Sequence, residues 1–443
     1  MGFDLTQGLF SSAGIDVGTR LLLKVFSEML DSDARAGRPP PGKVLDAGCG
    51  VGVIGVCAAA ALSGVDGLVV RCQDRDELAR FFTLHNAEKN GVPASVLDAR
   101  AEPLLAGPAG CRWDFIFSNI PAKAGTLVLE DFVSRSVGLL NLGGRVVVVV
   151  VQTLADFFRN RIALAGAEIL SELAGSGHCV FVYAAGEVPT VGSATGPGPI
   201  EAGPGFLSRY PFYVRASVNY VDFDGSDDSV GSGDSTGYLI DTTHGASGFD
   251  GPGRAVTVAA RLIARLGPEK LVPEGEPPLL VHEPGQGFFP CLLTGFLRDG
   301  AGSGKTPPLV LSGRNVLALE ASRHNLCRLD GPARVEVVPA VDLRLGGPAL
   351  LDAAGGNRYA GVFAFPELLP QSSLPKGTDQ LATLWDSLAP LLSVGGVFLA
   401  TFGSSDAERF DRKKPAGFTR LGNLKRDGFR ALAYRLAGRI PPV

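Results

Sequence analysis

The stretch KVLDAGCGVGVIG, running from Lys43 to Gly55, limits what this chain can fold into more than any other. Val44 and Leu45 lead to an acid, Asp46. Glycines then recur at Gly48, Gly50 and Gly52, and an apolar helix-forming run follows. Strand, glycine-rich turn and helix in that order describe a nucleotide-binding turn. The first glycine permits the sharp reversal, and the others let backbone approach a ligand and let the helix pack on the sheet. Such a turn implies a βαβ unit, and the chain alternates accordingly. KVLDAG, LVVRCQD, ASVLDA, WDFIFSN, GGRVVVVVV and HCVFVYAAG read as strands. VIGVCAAAAL, RDELARFFTLHNAEKNG (closed by Asn90 and Gly91), LVLEDFVSRSVGLL and LADFFRNRIALAG read as helices. The prediction is a doubly wound, mostly parallel α/β sheet. RVVVVVVQ is far too short to cross a bilayer and reads as a strand buried on both faces.

The order of events then repeats. GLFSSAGIDVGTRLLLKVF, starting at Gly8, is echoed by GASGFDGPGRAVTVAARLI, starting at Gly245. VLDAGCG is echoed by VHEPGQG, FIFSNIPAKAG by GVFAFPELLPQ, and SVGLLNLGGRVVVVVV by SLAPLLSVGGVFLATF. Each echo is weak, but their shared order points to an internal duplication. Two tandem Rossmann-like domains are expected, at residues 1–185 and 209–443, joined by a Gly/Pro-rich linker at 186–208. The second domain has an extra opening, RYPFYVRASVNYVDF…GYLIDTT, whose alternation predicts a β-hairpin.

The glycine turn comes with two acids. Asp74 closes the next strand about 20 residues on, where an acid can accept hydrogen bonds from ribose hydroxyls. Asp46 at the end of the first strand would repel a pyrophosphate, which a dinucleotide site must attract. It suits a ligand bearing cations, such as the ammonium and sulfonium of S-adenosylmethionine. Cys49 lies inside the turn and is grouped with Asp46, Gly48, Gly50, Gly52 and Asp74 as cofactor-binding.

GLFSSAGIDVGTRLLL, VLDAGCGVGVIG, CQD and FIFSNIP, in this order, resemble the methyltransferase small-domain family. Its best-known members are bacterial ribosomal RNA guanine-N2 methyltransferases of both ribosomal subunits. The resemblance covers Gly8 to about Ala185, and the second half as a decayed copy. Those enzymes are tandem duplications with one working half. In the small-subunit enzymes that half is C-terminal, whereas here the better motifs are N-terminal. The resemblance implies S-adenosylmethionine as cofactor and structured RNA, ribosomal in kind, as substrate.

The family's fourth motif is Asn-Pro-Pro-aromatic, and this chain has Asn119, Ile120, Pro121 and Ala122. An Asn oxygen and the next carbonyl accept the two hydrogens of an exocyclic amine, which aims the nitrogen lone pair at the methyl group. Ala122 cannot stack on a base. Either another ring such as Phe10 serves, or the substrate is not a nucleobase. Phe10 and Asp16 lie in the family's opening segment and are expected on the substrate side. Asp98, read as ending the third strand, can bond the adenine amine or be an exposed loop acid. The favoured reading is methyl transfer to a guanine N2. A protein side-chain amide or amine methyltransferase is the enzymatic alternative, and a non-catalytic RNA-binding or assembly protein the other.

In the second domain Glu283, Gly285 and Gly287 are expected to keep the start of the turn. Glu320 is expected near the place of Asp74, and Phe288 and Phe289 in the space that Gly52 leaves open. Phe365, Pro366 and Glu367 align with Asn119 and its followers, so this half is expected to be structural or substrate-binding. Net charge is −4, which excludes a wholly basic nucleic-acid binder. The C-terminal stretch is nonetheless rich in Arg and Lys, and Arg412, Lys413 and Lys414 are candidate phosphate contacts or a solvated face. Seven scattered cysteines without a CxxC pair favour a reducing, cytoplasmic setting. The start MGFDLTQGLFSS lacks a basic, apolar signal pattern. The five histidines share no ligand spacing, so no metal is expected. DGAGSGKT imitates a P-loop, but Asp299 replaces its first glycine and Pro307 and Pro308 forbid the helix. DFDGSDD lacks the spaced Glu of a calcium loop.

Overall fold

The structure is a computed structural model. It describes residues 1–9, 14–107, 110–186, 205–221, 237–248, 250–271, 278–300, 306–330, 334–369 and 378–438. Phe10, most of the expected linker, the hairpin tip with DFDGSDD and the middle of DGAGSGKT lie outside these residues. The chain divides into two compact units, Met1–Gly203 and Pro204–Val443.

The first unit runs α1 (Val17–Arg35), β1 (Lys43–Ala47), α2 (Val53–Ala61), β2 (Val69–Asp74), α3 (Glu77–Lys89), β3 (Leu97–Ala101), β4 (Trp113–Asn119), α4 (Thr126–Gly138), β5 (Leu140–Val151), α5 (Ala155–Leu164), β6 (Ala167–Ala174) and β7 (His178–Ala185). Its seven strands lie in the order β3-β2-β1-β4-β5-β7-β6. All pair in parallel except β7, which runs antiparallel to both β5 and β6. The valine run explains the centre of this sheet. Val146 to Val150 sit in β5 between β4 and β7, and each is at most 1% exposed. Phe26 of α1 packs edge-on against Phe115 and Phe117 of β4, whose rings stack 5.4 Å apart. AEILSELA, unread as a strand from sequence, forms the edge strand β6. Most of its side chains are exposed, so it lacks the apolar alternation that marks a half-buried strand.

The second unit runs α6 (Gly205–Arg209), β8 (Val214–Val221), β9 (Gly237–Thr243), α7 (Arg254–Leu266), α8 (Pro268–Leu271), β10 (Leu279–His282), α9 (Phe288–Gly300), β11 (Leu309–Gly313), α10 (Val316–Asp330), β12 (Val335–Pro339), α11 (Gly347–Ala353), β13 (Tyr359–Ala364), α12 (Gln380–Leu391), β14 (Leu392–Gly403), α13 (Ser404–Arg412), β15 (Phe418–Arg426) and β16 (Phe429–Leu436). Its main sheet has the order β12-β11-β10-β13-β14-β16-β15, the same topology strand for strand. The strands β8 and β9 form a separate antiparallel ribbon. The fold class is therefore two tandem Rossmann-like α/β units.

The duplication reaches further toward the N-terminus than the echo from Gly8. In the first unit Asn86 accepts from Asp4 N (2.8 Å) and donates to Asp4 O (3.0 Å) and Val51 O (2.9 Å). In the second, Asn325 accepts from Asp241 N (2.9 Å) and donates to Asp241 O (2.9 Å) and Gln286 O (2.8 Å). FDLTQG, starting at Phe3, is thus the counterpart of IDTTHG in and after β9.

Candidate functional site

Three parallel neighbours, β2, β1 and β4, end side by side and place the glycine turn between Asp74 and Asn119. Ligands of open α/β sheets bind outside such carboxyl ends. Gly48, Gly50 and Gly52 all have left-handed backbone, at φ 84°, 54° and 83°. A Cβ on Gly52 would meet Thr83 at 2.9 Å, so glycine is needed for α2 to approach α3. A Cβ on Gly50 would meet nothing within 4 Å and would project into open space over the turn. Thr83 donates to Gly50 O (3.1 Å), which ties the turn to α3.

Asp46 is one residue short of the end of β1 and is fully buried. Its Oδ2 accepts from Gly55 N (2.8 Å). Gly52, the N-cap of α2, has no side chain to cap with, so the strand acid does that work. Its Oδ1 is buried with no hydrogen-bond partner. Burial pushes the Asp46 acid up to about 7, against the pull of the Gly55 N–H and with a further push from Asp74. Asp74 ends β2, accepting from Gly50 N (3.1 Å) and Asp76 N (3.1 Å). Burial raises it too, opposed by the Arg75 charge and these backbone bonds. Cys49 is buried beside Thr83 Oγ1 (3.4 Å), and burial drives its thiol far above the usual range.

Asn119 is the last residue of β4. Its Nδ2 donates to Asp16 Oδ1 (3.1 Å), Asp16 Oδ2 (3.2 Å) and Thr19 Oγ1 (3.0 Å). Asp16 is the N-cap of α1 and accepts from Thr19 N (3.0 Å). Ile120 is buried and donates its N–H to Val149 O (3.3 Å). Pro121 is exposed and precedes a short 3-10 turn at Ala122–Ala124. The structure thus brings Asp16 against Asn119, a contact that spacing along the chain did not disclose.

Asp98 lies elsewhere than expected. It is the second residue of β3, opposite Arg71 in register, because β3 continues to Ala101. Half-exposed, it pairs with Arg100 (2.6 Å) and Arg71 (3.8 Å), three register positions before Asp74.

Several cations of the basic C-terminal stretch pair with carboxylates of their own unit. Arg409 pairs with Asp406 (3.0 Å), Lys413 with Asp379 (2.7 Å), Arg430 with Glu408 (3.6 Å), and Arg420 with Asp411. Lys414 donates to Phe418 O (2.6 Å) and Pro415 O (3.3 Å). Arg412 is exposed at the end of α13.

The second unit's turn corrects the expected alignment by two residues. Ser322 donates to Gly285 O (2.8 Å) as Thr83 does to Gly50 O, and a Cβ on Gly287 would meet Ser322 as one on Gly52 meets Thr83. Gly285 and Gly287 therefore match Gly50 and Gly52. Glu283 takes the place of Gly48, with φ 54°. Phe288 and Phe289 do not fill the turn; they begin α9 and are buried in the core. Glu320 is not near the place of Asp74 but lies within α10, paired with Arg323 (2.6 Å). Gly313 stands where Asp74 would, and the Glu283 carboxylate lies beside it, accepting from Arg314 N (2.9 Å). Phe365 does follow β13 at the place of Asn119. Among the described residues no His, Cys, Asp and Glu cluster has a metal-binding arrangement, and no helix is long and apolar enough to cross a membrane.

Comparison with known proteins defines the class. Residues 1–161 match the family model of the methyltransferase small domain, and the first unit is a domain of that family. A ribosomal RNA small subunit methyltransferase C of Shewanella halifaxensis is 36% identical over 141 residues, covering 31% of this chain and 36% of that protein. A ribosomal protein L11 methyltransferase of Syntrophotalea carbinolica is 34% identical over 142 residues, covering 32% of this chain and 42% of that protein. The match thus spans less than half the length of these relatives. Among solved structures, a T. thermophilus 16S rRNA N2 G1207 methyltransferase in complex with AdoMet and guanosine aligns with a TM-score of 0.59. At 16% identity, covering 97% of this chain and 94% of that one, it shares the fold across both units.

Proposed function

We propose that the first unit is an S-adenosylmethionine-dependent methyltransferase whose acceptor is an exocyclic amine, the N2 of a guanine in ribosomal RNA. The observation that carries this is the Asn119 carboxamide. Its nitrogen is turned to Asp16 and Thr19, which leaves its oxygen directed away from them at the carboxyl end of β4, beside the glycine turn. The residues around the turn fit the cofactor. The unpartnered, buried Asp46 Oδ1 suits a cationic ligand, the open side of Gly50 admits close approach, and the fixed Asp74 carboxylate can accept from ribose hydroxyls. When bound, the sulfonium supplies an electrophilic methyl carbon.

The chain's own contribution is orientation. Asn119 Oδ1 and the Ile120 carbonyl accept the two amine hydrogens and so direct the nitrogen lone pair. Holding two reactants in line accounts for much of such a rate enhancement. No strong general base is needed, because the amine loses its proton after methylation.

RNA as the substrate class draws support from the Shewanella relative, and the guanine N2 from the name of the T. thermophilus enzyme. A second reading rests on Ala122. Ala122 offers no ring to stack on a base, and a protein side-chain amide or amine would not need one. The relative that methylates ribosomal protein L11 fits that reading. Incubation of the full chain with methyl-labelled cofactor and ribosomal subunits separates the readings. Label in RNA, recovered as N2-methylguanine, is expected. Label in ribosomal protein would transfer the assignment to the second reading. Cofactor binding with no label in either would make the chain a non-catalytic binder.

A further inference from the structure

We infer that Asp16 and Thr19 are positioning residues of the transfer reaction, acting on the substrate only through Asn119. This rests on the methyltransferase reading of the first unit and deepens it. An Asn side chain can sit either way round, and only one way puts its oxygen toward an acceptor amine. Here the surroundings decide. A carboxylate accepts and does not donate. The Thr19 hydroxyl spends its hydrogen on Asp16 Oδ2 (2.6 Å), so it too meets Asn119 as an acceptor. Asn119 therefore faces three acceptor oxygens, at 3.0, 3.1 and 3.2 Å. Only the NH₂ end satisfies them. The oxygen is turned away from them by elimination, with no ligand needed to choose the orientation.

The second unit supplies an internal control. Asp16 and Gly253 are the N-caps of the corresponding helices α1 and α7, so Thr19 corresponds to Val256. The place of Asn119 is held by Phe365. Acid, hydroxyl and amide are thus replaced together, and Val256 and Phe365 both pack against one apolar cluster. A cap serving α1 alone would have no reason to vanish with a residue at the end of a distant strand. The packing shows the same dependence. A Cβ on Gly18 would lie 3.0 Å from Asp16 Oδ1, 3.0 Å from His178 Cδ2 and 3.2 Å from Val149 Cγ2. Glycine there lets the first turn of α1 settle onto β5 and β7 and brings Asp16 down to Asn119.

The test separates capping from positioning. Asp16→Ser keeps a good N-cap but is too short to hold Asn119. It should lower kcat by roughly tenfold to a hundredfold, the scale of a misplaced reacting group, with KM for the cofactor unchanged. Asp16→Asn keeps the reach and one acceptor oxygen and should restore most of kcat. In an Asn119→Ala background, Asp16→Ser should cost nothing more, since there is no amide left to orient. Independently of turnover, the side-chain NH₂ signals of Asn119 in nitrogen-15 spectra should be shifted and slow to exchange in the parent protein, and lose both properties in Asp16→Ser. If the parent protein shows no methyl transfer, the methyltransferase reading fails, and the NMR arm still decides whether Asp16 orients Asn119. A penalty for Asp16→Ser that persists in the Asn119→Ala background, a rise in KM for the acceptor at constant kcat, or unchanged Asn119 signals would overturn the inference.

Discussion

Asp46 shows how one side chain can serve both fold and ligand. Its Oδ2 caps α2 while its Oδ1 stays unpartnered in a fully buried position. Burial holds its acid at about 7, whereas an unfolded Asp ionises near 4. Between these values the folded protein keeps a proton that the unfolded chain releases. The stability contribution of this group is therefore full below about pH 4 and is lost as pH rises through about 7. Asp46→Asn cannot ionise but can still accept from Gly55 N. Its stability should gain on that of the parent protein between pH 4 and 8, measured by denaturant unfolding at each pH. Asp74 is shared by both proteins and cancels to first order. Parallel stability curves would mean that the Asp46 carboxyl is hydrated. At the other end of the chain, Arg412 and Lys414 differ in what they have left to offer. Lys414 already serves two carbonyls, while Arg412 is exposed. If RNA is bound through this face, Arg412→Ala should reduce the salt slope of binding by about one unit and Lys414→Ala should not. Binding measured at several salt concentrations checks both, and equal slopes would return Arg412 to the solvated surface.

The glycine turn of the first unit was legible from its residues alone, because acid and glycines at that spacing have few other uses. What the pattern could not show was which backbone positions matter in a decayed copy. VLDAGCG and VHEPGQG match best by letter with Gly48 on Gly285. The structure instead sets Gly50 on Gly285 and Glu283 on Gly48, because three left-handed positions at alternate residues define the turn and glutamate can be forced into one. The Asp16–Asn119 contact was hidden for another reason: it joins residues 103 apart, and only the packing of α1 on the sheet brings them together. Asp98 misled because strand ends are the least certain feature of a pattern; β3 simply continues past it. At this scale Gly50→Ala is informative. It places a methyl group in the open space over the turn, at a cost of about 1–2 kcal/mol for left-handed backbone. The variant should stay folded, with a modestly lowered Tm, and lose cofactor binding by calorimetry. Binding that survives would move the ligand away from the turn.

The two units share a topology and differ in their chemistry. The first keeps Asp46, Asp74 and the Asp16–Thr19–Asn119 group. The second has Gly253, Val256 and Phe365 in place of Asp16, Thr19 and Asn119, keeps a carboxylate, that of Glu283, beside Gly313 at the place of Asp74, and closes its core around aromatic rings. Trp385 stacks on Phe410 at 4.3 Å and donates to its carbonyl (3.1 Å). Trp385→Ala should destabilise that unit by about 3–5 kcal/mol, seen as a lowered unfolding transition in calorimetry. An unmoved transition would contradict a core organised around this ring. The repeated topology could be read from the order of weak echoes; the loss of chemistry in the copy could be read only at Phe365. The measurement that bears most directly on the whole account is methyl transfer by the full chain carrying Asn119→Ala, with cofactor affinity followed in parallel. Transfer is expected to fall by roughly a hundredfold or more, as for loss of a group that orients the reactants, while cofactor affinity stays close to that of the parent protein. Transfer at the parent rate, or loss of cofactor binding together with transfer, would rule out Asn119 as the residue that holds the acceptor amine.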